Sequence, residues 1–138
     1  MKVSEKEILF IYNSADLQQR EALAYAKSLK HYVIKELEIQ KDQLTQLHLA
    51  TLAKRLSVPE KDLIKPDFEI PVSGVLDLDT NDFLDYLSSN LRMLRTPIAV
   101  FHDHAIFIES PYAFIKEDNI NSTSNTQTSK TIRQRDED

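Results

Sequence analysis

Residues Glu7–Leu29 read EILFIYNSADLQQREALAYAKSL. Ile8–Ile11 is a short, unbroken apolar run, the pattern of a strand buried on both faces. A polar loop, Tyr12–Ala15, follows it. Leu17–Leu29 then reads as a helix with Leu23, Ala26 and Leu29 or Lys30 on its apolar face. Its small alanines, Ala22, Ala24 and Ala26, permit close approach to a sheet. Asp16 stands just before this helix. There its carboxylate can accept from the orphan amides of the first turn and complement the positive helix end. A strand–loop–helix junction of this kind is where many proteins keep a nucleophile or an anion cradle. The residue at the junction here is an aspartate.

On the C-terminal side, Val33–Ile39 alternates in part. Val33, Lys35, Leu37 and Ile39 share one face, and Ile34, Glu36 and Glu38 share the other. This predicts a second strand at a sheet edge, where Lys35 discourages unwanted pairing. A strand, a helix and a strand in such close succession form a βαβ unit, with parallel strands and a right-handed crossover.

From Leu44 the period becomes helical, with Leu49, Leu52, Ala53 and Leu56 at i, i+3, i+4 and i+7 and Thr45 as the cap. Ser57-Val58-Pro59 ends that helix and starts a short one, Glu60–Ile64, which Pro66 closes. Asp67–Asp79 contains a further proline and the only glycine. It reads as an ordered loop with a strand-like piece at Gly74–Leu78. Thr80 is expected to cap a helix, Asn81–Ser89, that buries Phe83, Leu84 and Leu87.

Leu91–Arg95 leads into Thr96-Pro97, and two strands follow, Ile98–Phe101 and Ala105–Ile108. His102-Asp103-His104 forms the hairpin turn between them. Ser110-Pro111 starts a last helix, Tyr112–Glu117. Met1–Lys6 is expected to be a loose lead-in. Asn119–Asp138 is polar and too poor in apolar residues to offset its ordering entropy, so residues 118–138 are expected to be a disordered tail beyond a domain at 7–117. The order β-α-β-α-α-α-β-β-α gives an α/β class. It predicts a thioredoxin-like fold with a mixed four-stranded sheet and a helical insertion between its halves.

Composition narrows the chemistry. The chain has 138 residues, the length of a single domain. Its 22 acidic and 17 basic residues give a net charge of -5, which disfavours general binding to nucleic acid or anionic membranes. The single glycine, Gly74, argues against glycine-rich phosphate loops. There is no cysteine, so thiol redox chemistry, disulfides and thiolate metal sites are closed to this chain alone. No apolar run reaches the roughly 18–20 residues of a membrane span, and the charged start MKVSEKE does not resemble a signal peptide. A cytoplasmic location is the expectation, with no resident cofactor.

Three stretches together resemble the arsenate reductase and Spx-type family. FLDYLSSNLRMLRTPIAVFHDHAIFIESPYAFI (residues 83–115) is similar to that family's helix, its arginine-proline strand with a cis-proline, its hairpin and its proline-started helix. IYNSADLQQREALAYAKSL (11–29) resembles its active loop and first helix, and TLAKRLSVPEKDLIKP (51–66) its helical pair. The resemblance implies a thioredoxin fold in which a thiolate at the first helix attacks an oxyanion held by arginines. This chain is identified as a divergent member that lacks the nucleophile. The cysteine position falls on Asp16 and a second cysteine would fall on Gln19. The arginine before the cis-proline is replaced by Thr96, with Arg95 displaced by one, and the arginine beside the last helix's proline is replaced by Ser110. The middle arginine maps to Lys65, while Asn13 and Arg20 remain. Asp16 would repel an oxyanion and cannot exchange disulfides, which argues against arsenate reduction.

Asn13, Arg20, Lys65, Arg95, Thr96 and Pro97 are therefore the candidate ligand-binding residues. Asp16 as a general acid or base competes with Asp16 as a helix cap, and the cap is favoured because no partner for proton transfer is near in sequence. Arg20, Lys65 and Arg95 could hold an anion or could be ordinary solvated charges. His102 and His104 could share a strand face as metal ligands, but no third ligand is evident and a polar turn is favoured. The resemblance implies that Thr96-Pro97 is cis and leaves a backbone edge on which an extended peptide could pair. Two functions follow. One is a non-catalytic binding or regulatory module with a protein or peptide partner at the Thr96-Pro97 edge. The alternative is a residual enzyme that binds glutathione or an oxyanion.

Overall fold

The computed structural model describes residues 1–66 and 74–110. Its elements are β1 (Glu7–Tyr12), α1 (Leu17–Lys27), β2 (Val33–Glu38), α2 (Gln46–Leu56), α3 (Thr80–Ser89), β3 (Ile98–Val100) and β4 (Ala105–Phe107). Three 3-10 turns, Glu60–Leu63, Val75–Asp77 and Leu91–Met93, complete them. The sheet has four strands in the order β2-β1-β3-β4. β1 and β2 are parallel, with Glu7 opposite Val33 and Tyr12 opposite Glu38. β3 lies antiparallel to both β1 and β4, and β3 and β4 form the expected hairpin. β2 lies at a sheet edge, as its mixed pattern predicts.

Strand alternation divides the apolar residues between two sides of the sheet. Ile8, Phe10, Tyr12, Ala99, Phe101 and Ile108 pack with Ala22, Leu23 and Ala26 of α1. Ile11, Ile98, Val100 and Ala105 pack on the other side with Leu49 and Leu52 of α2 and with Phe83, Leu84 and Leu87 of α3. The result is three layers, with α1 on one face and the helical insertion on the other. Because β1 is covered on both faces, its sequence is a continuous apolar run.

Several expectations are corrected. Met1–Lys6 is not a loose lead-in. Val3 is buried in the larger core, Arg55 donates to the Met1 carbonyl at 2.9 Å, and His102 Nδ1 lies 2.9 Å from the Val3 carbonyl. Gly74–Leu78 is not strand-like. Gly74 has φ 89°, which turns the chain, and Asp77 and Leu78 donate back to Gly74 and Val75 in a 3-10 turn. The cap of α3 is Asp79, whose Oδ1 accepts from the Asp82 amide at 2.8 Å, and Thr80 is already helical. Ala24 of α1 is exposed. Pro59 has extended ψ and precedes the 3-10 turn at Glu60 as its cap. The expected helix Tyr112–Glu117 and the tail lie outside the described residues, as does most of the Asp67–Asp79 loop. No helix among the described residues is long and apolar enough to cross a membrane.

The cap of α2 follows the sequence reading and extends it. Thr45 accepts from the His48 amide, and the His48 ring reaches back to the Thr45 amide, which completes a capping box. The helix ends at Ser57, held left-handed at φ 59°, so that the Val58 amide can reach the Ala53 carbonyl.

Candidate functional site

The loop between β1 and α1 has satisfied its own amides. The Asn13 amide donates to Oε1 of Gln19 at 2.9 Å, and the Ser14 amide donates to Oε2 of Glu38 at 2.8 Å. The Ala15 amide donates to Oδ1 of Asn13 at 2.9 Å, and the Asp16 amide to the Asn13 carbonyl at 3.1 Å. Asp16 Oδ1 then caps α1 by accepting from the Gln19 amide at 3.2 Å. A loop that cradles an external anion presents amides to it. Here four successive amides point at acceptors that belong to the chain itself.

Glu38 and Gln19 are the buried polar side chains behind this arrangement. The parallel register sets Glu38 opposite Tyr12, beside the loop that follows β1. Its second oxygen accepts from the Gln40 amide at 2.7 Å. Burial pushes its carboxyl up, but the amides of Ser14 and Gln40, with Lys41 nearby, outweigh that and hold it below the usual carboxylate range. On the next strand position out, Glu36 accepts from the Tyr12 hydroxyl at 3.0 Å and pairs with Lys27 at 2.5 Å. Lys27 first, and then Tyr12, hold the Glu36 carboxyl low. Burial and the bond to Glu36 push the Tyr12 phenol up.

These two carboxylates fix the direction of a pH effect. Both have folded-state values below the ordinary 4.5, so their contribution is fully present above that pH and is lost as pH falls through the lower folded values. A series of urea melts is expected to show constant stability through neutral pH and a decline below about pH 4.5. Glu38→Gln should flatten the decline.

The candidate residues separate into two groups. Asp16, Lys65, Arg95, Thr96 and Pro97 line one groove of about 650 Å³, together with Glu21, Phe107 and Glu109. Asn13 and Arg20 do not line it. Asn13 is consumed in the loop, and Arg20 Nη1 donates to the Ser14 carbonyl at 2.9 Å, so its guanidinium braces the loop from its exposed side. Lys65 and Arg95 come together because Ile64 and Leu94 form a short antiparallel bridge. Lys65 donates its amide to Met93 and Arg95 donates its amide to Leu63. The Arg95 side chain pairs with Glu109 at 2.6 Å and lies 3.9 Å from the centroid of the Phe107 ring. Lys65 is engaged as well.

The Thr96-Pro97 bond is cis. Pro97 offers its carbonyl to the Ile108 amide at 2.9 Å, which continues the β3–β4 ladder. No turn, loop or cap hydrogen bond among the described residues engages the Thr96 amide or carbonyl. Its hydroxyl is buried and has no partner among the described residues. Thr96→Val keeps the shape and removes that orphan, so it is expected to raise stability by about 1 kcal/mol, a gain of roughly 3 °C in Tm by differential scanning calorimetry.

His102 and His104 have separate occupations. His102 meets Val3, while His104 hydrogen-bonds Asp103 at 2.8 Å and stacks on Phe101 at 4.6 Å between centroids. The bond from His104 holds the Asp103 carboxyl low. Among the described residues no group of three metal-ligating side chains is assembled.

A parallel βα unit, an antiparallel hairpin and a cis-proline facing the start of the first helix define a thioredoxin-like fold. Solved structures agree. An arsenate reductase from Vibrio cholerae superposes with a TM-score of 0.70 over 82% of this chain and 98% of its own length, at 14% identity. A provisionally assigned arsenate reductase from Yersinia pestis superposes at 0.66, over 79% and 98% of the two chains, at 18% identity. A protein from Bacteroides fragilis, provisionally related to the ArsC family, does so at 0.65, over 82% and 98%, at 15% identity. No protein-family model matches the sequence, and no curated protein matches it. The chain thus shares the fold of arsenate reductase-like proteins across almost their whole length, and it has no cysteine.

The sequence pattern does not single out Glu38 or Glu109, and it marks Gln19 only as the place of a missing cysteine. Alternation puts Glu38 on one face of an edge strand with Ile34 and Glu36, without saying what it meets. Register was the available signal for Glu38, since pairing Glu7 with Val33 sets it next to Tyr12 and the loop.

Proposed function

We propose that this chain is a divergent, thiol-free relative of arsenate reductase-like and Spx-type proteins that works as a binding or regulatory module. Its partner would be an extended protein segment laid along the Thr96-Pro97 edge. The observation that carries this reading is a contrast between the loop and the groove. The loop amides that would receive an anion are occupied by Gln19, Glu38 and Asn13, while no turn, loop or cap hydrogen bond among the described residues engages the Thr96 backbone in the groove. A backbone edge beside an open groove is the feature that strand addition uses. Arg95, turned onto Glu109 and Phe107, supports the same reading, because an oxyanion would have to compete for it.

The test is amide chemical-shift mapping with a short Val/Thr-rich peptide. Shifts are expected at Thr96, Ile98 and Ile108, and not at the far edge at Val33 and Ile34. Glutathione, phosphate, sulfate and arsenate are expected to leave the melting temperature unchanged. A bound ligand at a hundredfold excess over Kd would add about 2.7 kcal/mol of stability, and such a gain with glutathione or an oxyanion would favour a residual enzyme instead.

A further inference from the structure

The groove is lined by three carboxylates, Asp16, Glu21 and Glu109, and two cations, Lys65 and Arg95. The Arg95 cation is already committed, and Lys65 is not free. Arg95 is paired with Glu109 at 2.6 Å and rests on Phe107, and Lys65 has a partner of its own. Asp16 uses one oxygen on the Gln19 amide, and neither Asp16 nor Glu21 has a cationic partner among the described residues. The charge left available to an incoming ligand is therefore negative, and it lies on the α1 wall. The opposite wall offers the Thr96 amide and carbonyl and the apolar surfaces of Pro97 and Phe107.

We propose that the groove selects an extended polypeptide segment carrying a lysine or arginine, with its backbone along Thr96 and its basic side chain toward Asp16 and Glu21. The proposal rests on the binding-module reading above and gives it a partner chemistry. An acidic segment would meet Asp16 and Glu21, which no cation among the described residues pairs. A basic segment meets them as counter-charges.

Fluorescence anisotropy with the whole chain tests this. Three labelled Val/Thr-rich peptides are compared, identical except for a central Lys, Gln or Glu. The expected order of affinity is Lys over Gln over Glu, with on the order of tenfold between the first and last in low salt. That ratio should shrink as salt is added, because the groove is open to solvent. Glu21→Gln and Asp16→Asn should each narrow it, and Asn at position 16 retains a capping oxygen so that α1 stays intact. Equal affinity for the three peptides would overturn the charge selection and leave the binding-module reading standing. Tighter binding of the Glu peptide would overturn the inference and point to an anionic partner. No binding of any peptide would overturn both.

Discussion

Glu38→Ala should cost about 3 kcal/mol of stability, read as a lower urea midpoint with little change in slope. Glu38 is only 6% exposed and accepts two charge-assisted bonds, from Ser14 at 2.8 Å and Gln40 at 2.7 Å. Bonds of this kind contribute roughly 1.5–3 kcal/mol each, and removing the acceptor leaves two part-buried amide bonds unmade. The desolvation cost that Glu38 itself carries is relieved in the variant, so the sum stays below twice the single-bond figure. Glu38→Gln should fall between parent and alanine, because its carboxamide oxygen can satisfy one amide while its NH2 confronts the other. The substitution also bears on function. If the loop is closed to anions because Glu38 fills it, Glu38→Ala should be stabilised by phosphate or sulfate more than the parent is. Equal response would mean that Asp16, rather than occupancy of the amides, keeps anions away.

The fold was legible because its signals are local and agree with one another. Ile8–Ile11 announced a strand covered on both faces, and Ile11 and Phe10 are indeed buried on opposite sides. The heptad-like spacing of Leu49, Leu52 and Ala53 gave α2, and Thr96-Pro97 before two short apolar runs gave the hairpin. What escaped the sequence depends on register and on long-range partners. Strand alternation assigns Glu38 a face but not a partner, and it is the pairing of Tyr12 with Glu38 that puts it beside the loop. Val3 looked like part of a charged lead-in, yet Arg55 and His102 hold the N-terminal backbone against the core. Lys65 and Arg95 could be expected to meet, but not that Glu109 would claim Arg95. Arg20 and Asn13 were grouped with the groove residues by resemblance. The structure separates them, because their hydrogen bonds run along the loop and not across it.

Phe83→Ala should be the most damaging single truncation on the insertion side, at about 3–5 kcal/mol. Phe83 is fully buried in the core that joins α2, α3 and the sheet. Its ring also lies 5.9 Å from Nζ of Lys61, which donates to the Leu76 carbonyl and to the Leu78 carbonyl at 2.8 Å. The same ring therefore supports the chain that approaches α3. Since domains of this size are stable by only about 5–15 kcal/mol, the loss is a large share of the whole. Its distribution is the informative part. α3 runs into the 3-10 turn Leu91–Met93, and the amides of Lys65 and Arg95 cross to Met93 and Leu63 at its end. Those two crossings hold one wall of the groove. Hydrogen exchange on Phe83→Ala should therefore show the Lys65 and Arg95 amides losing protection before the β1–β2 ladder does. Simultaneous loss across both regions would mean that the insertion and the βαβ half unfold as one unit. Early loss at Lys65 and Arg95 would show that the groove's second wall depends on the insertion, and peptide affinity would then fall in this variant even under conditions where the sheet remains folded.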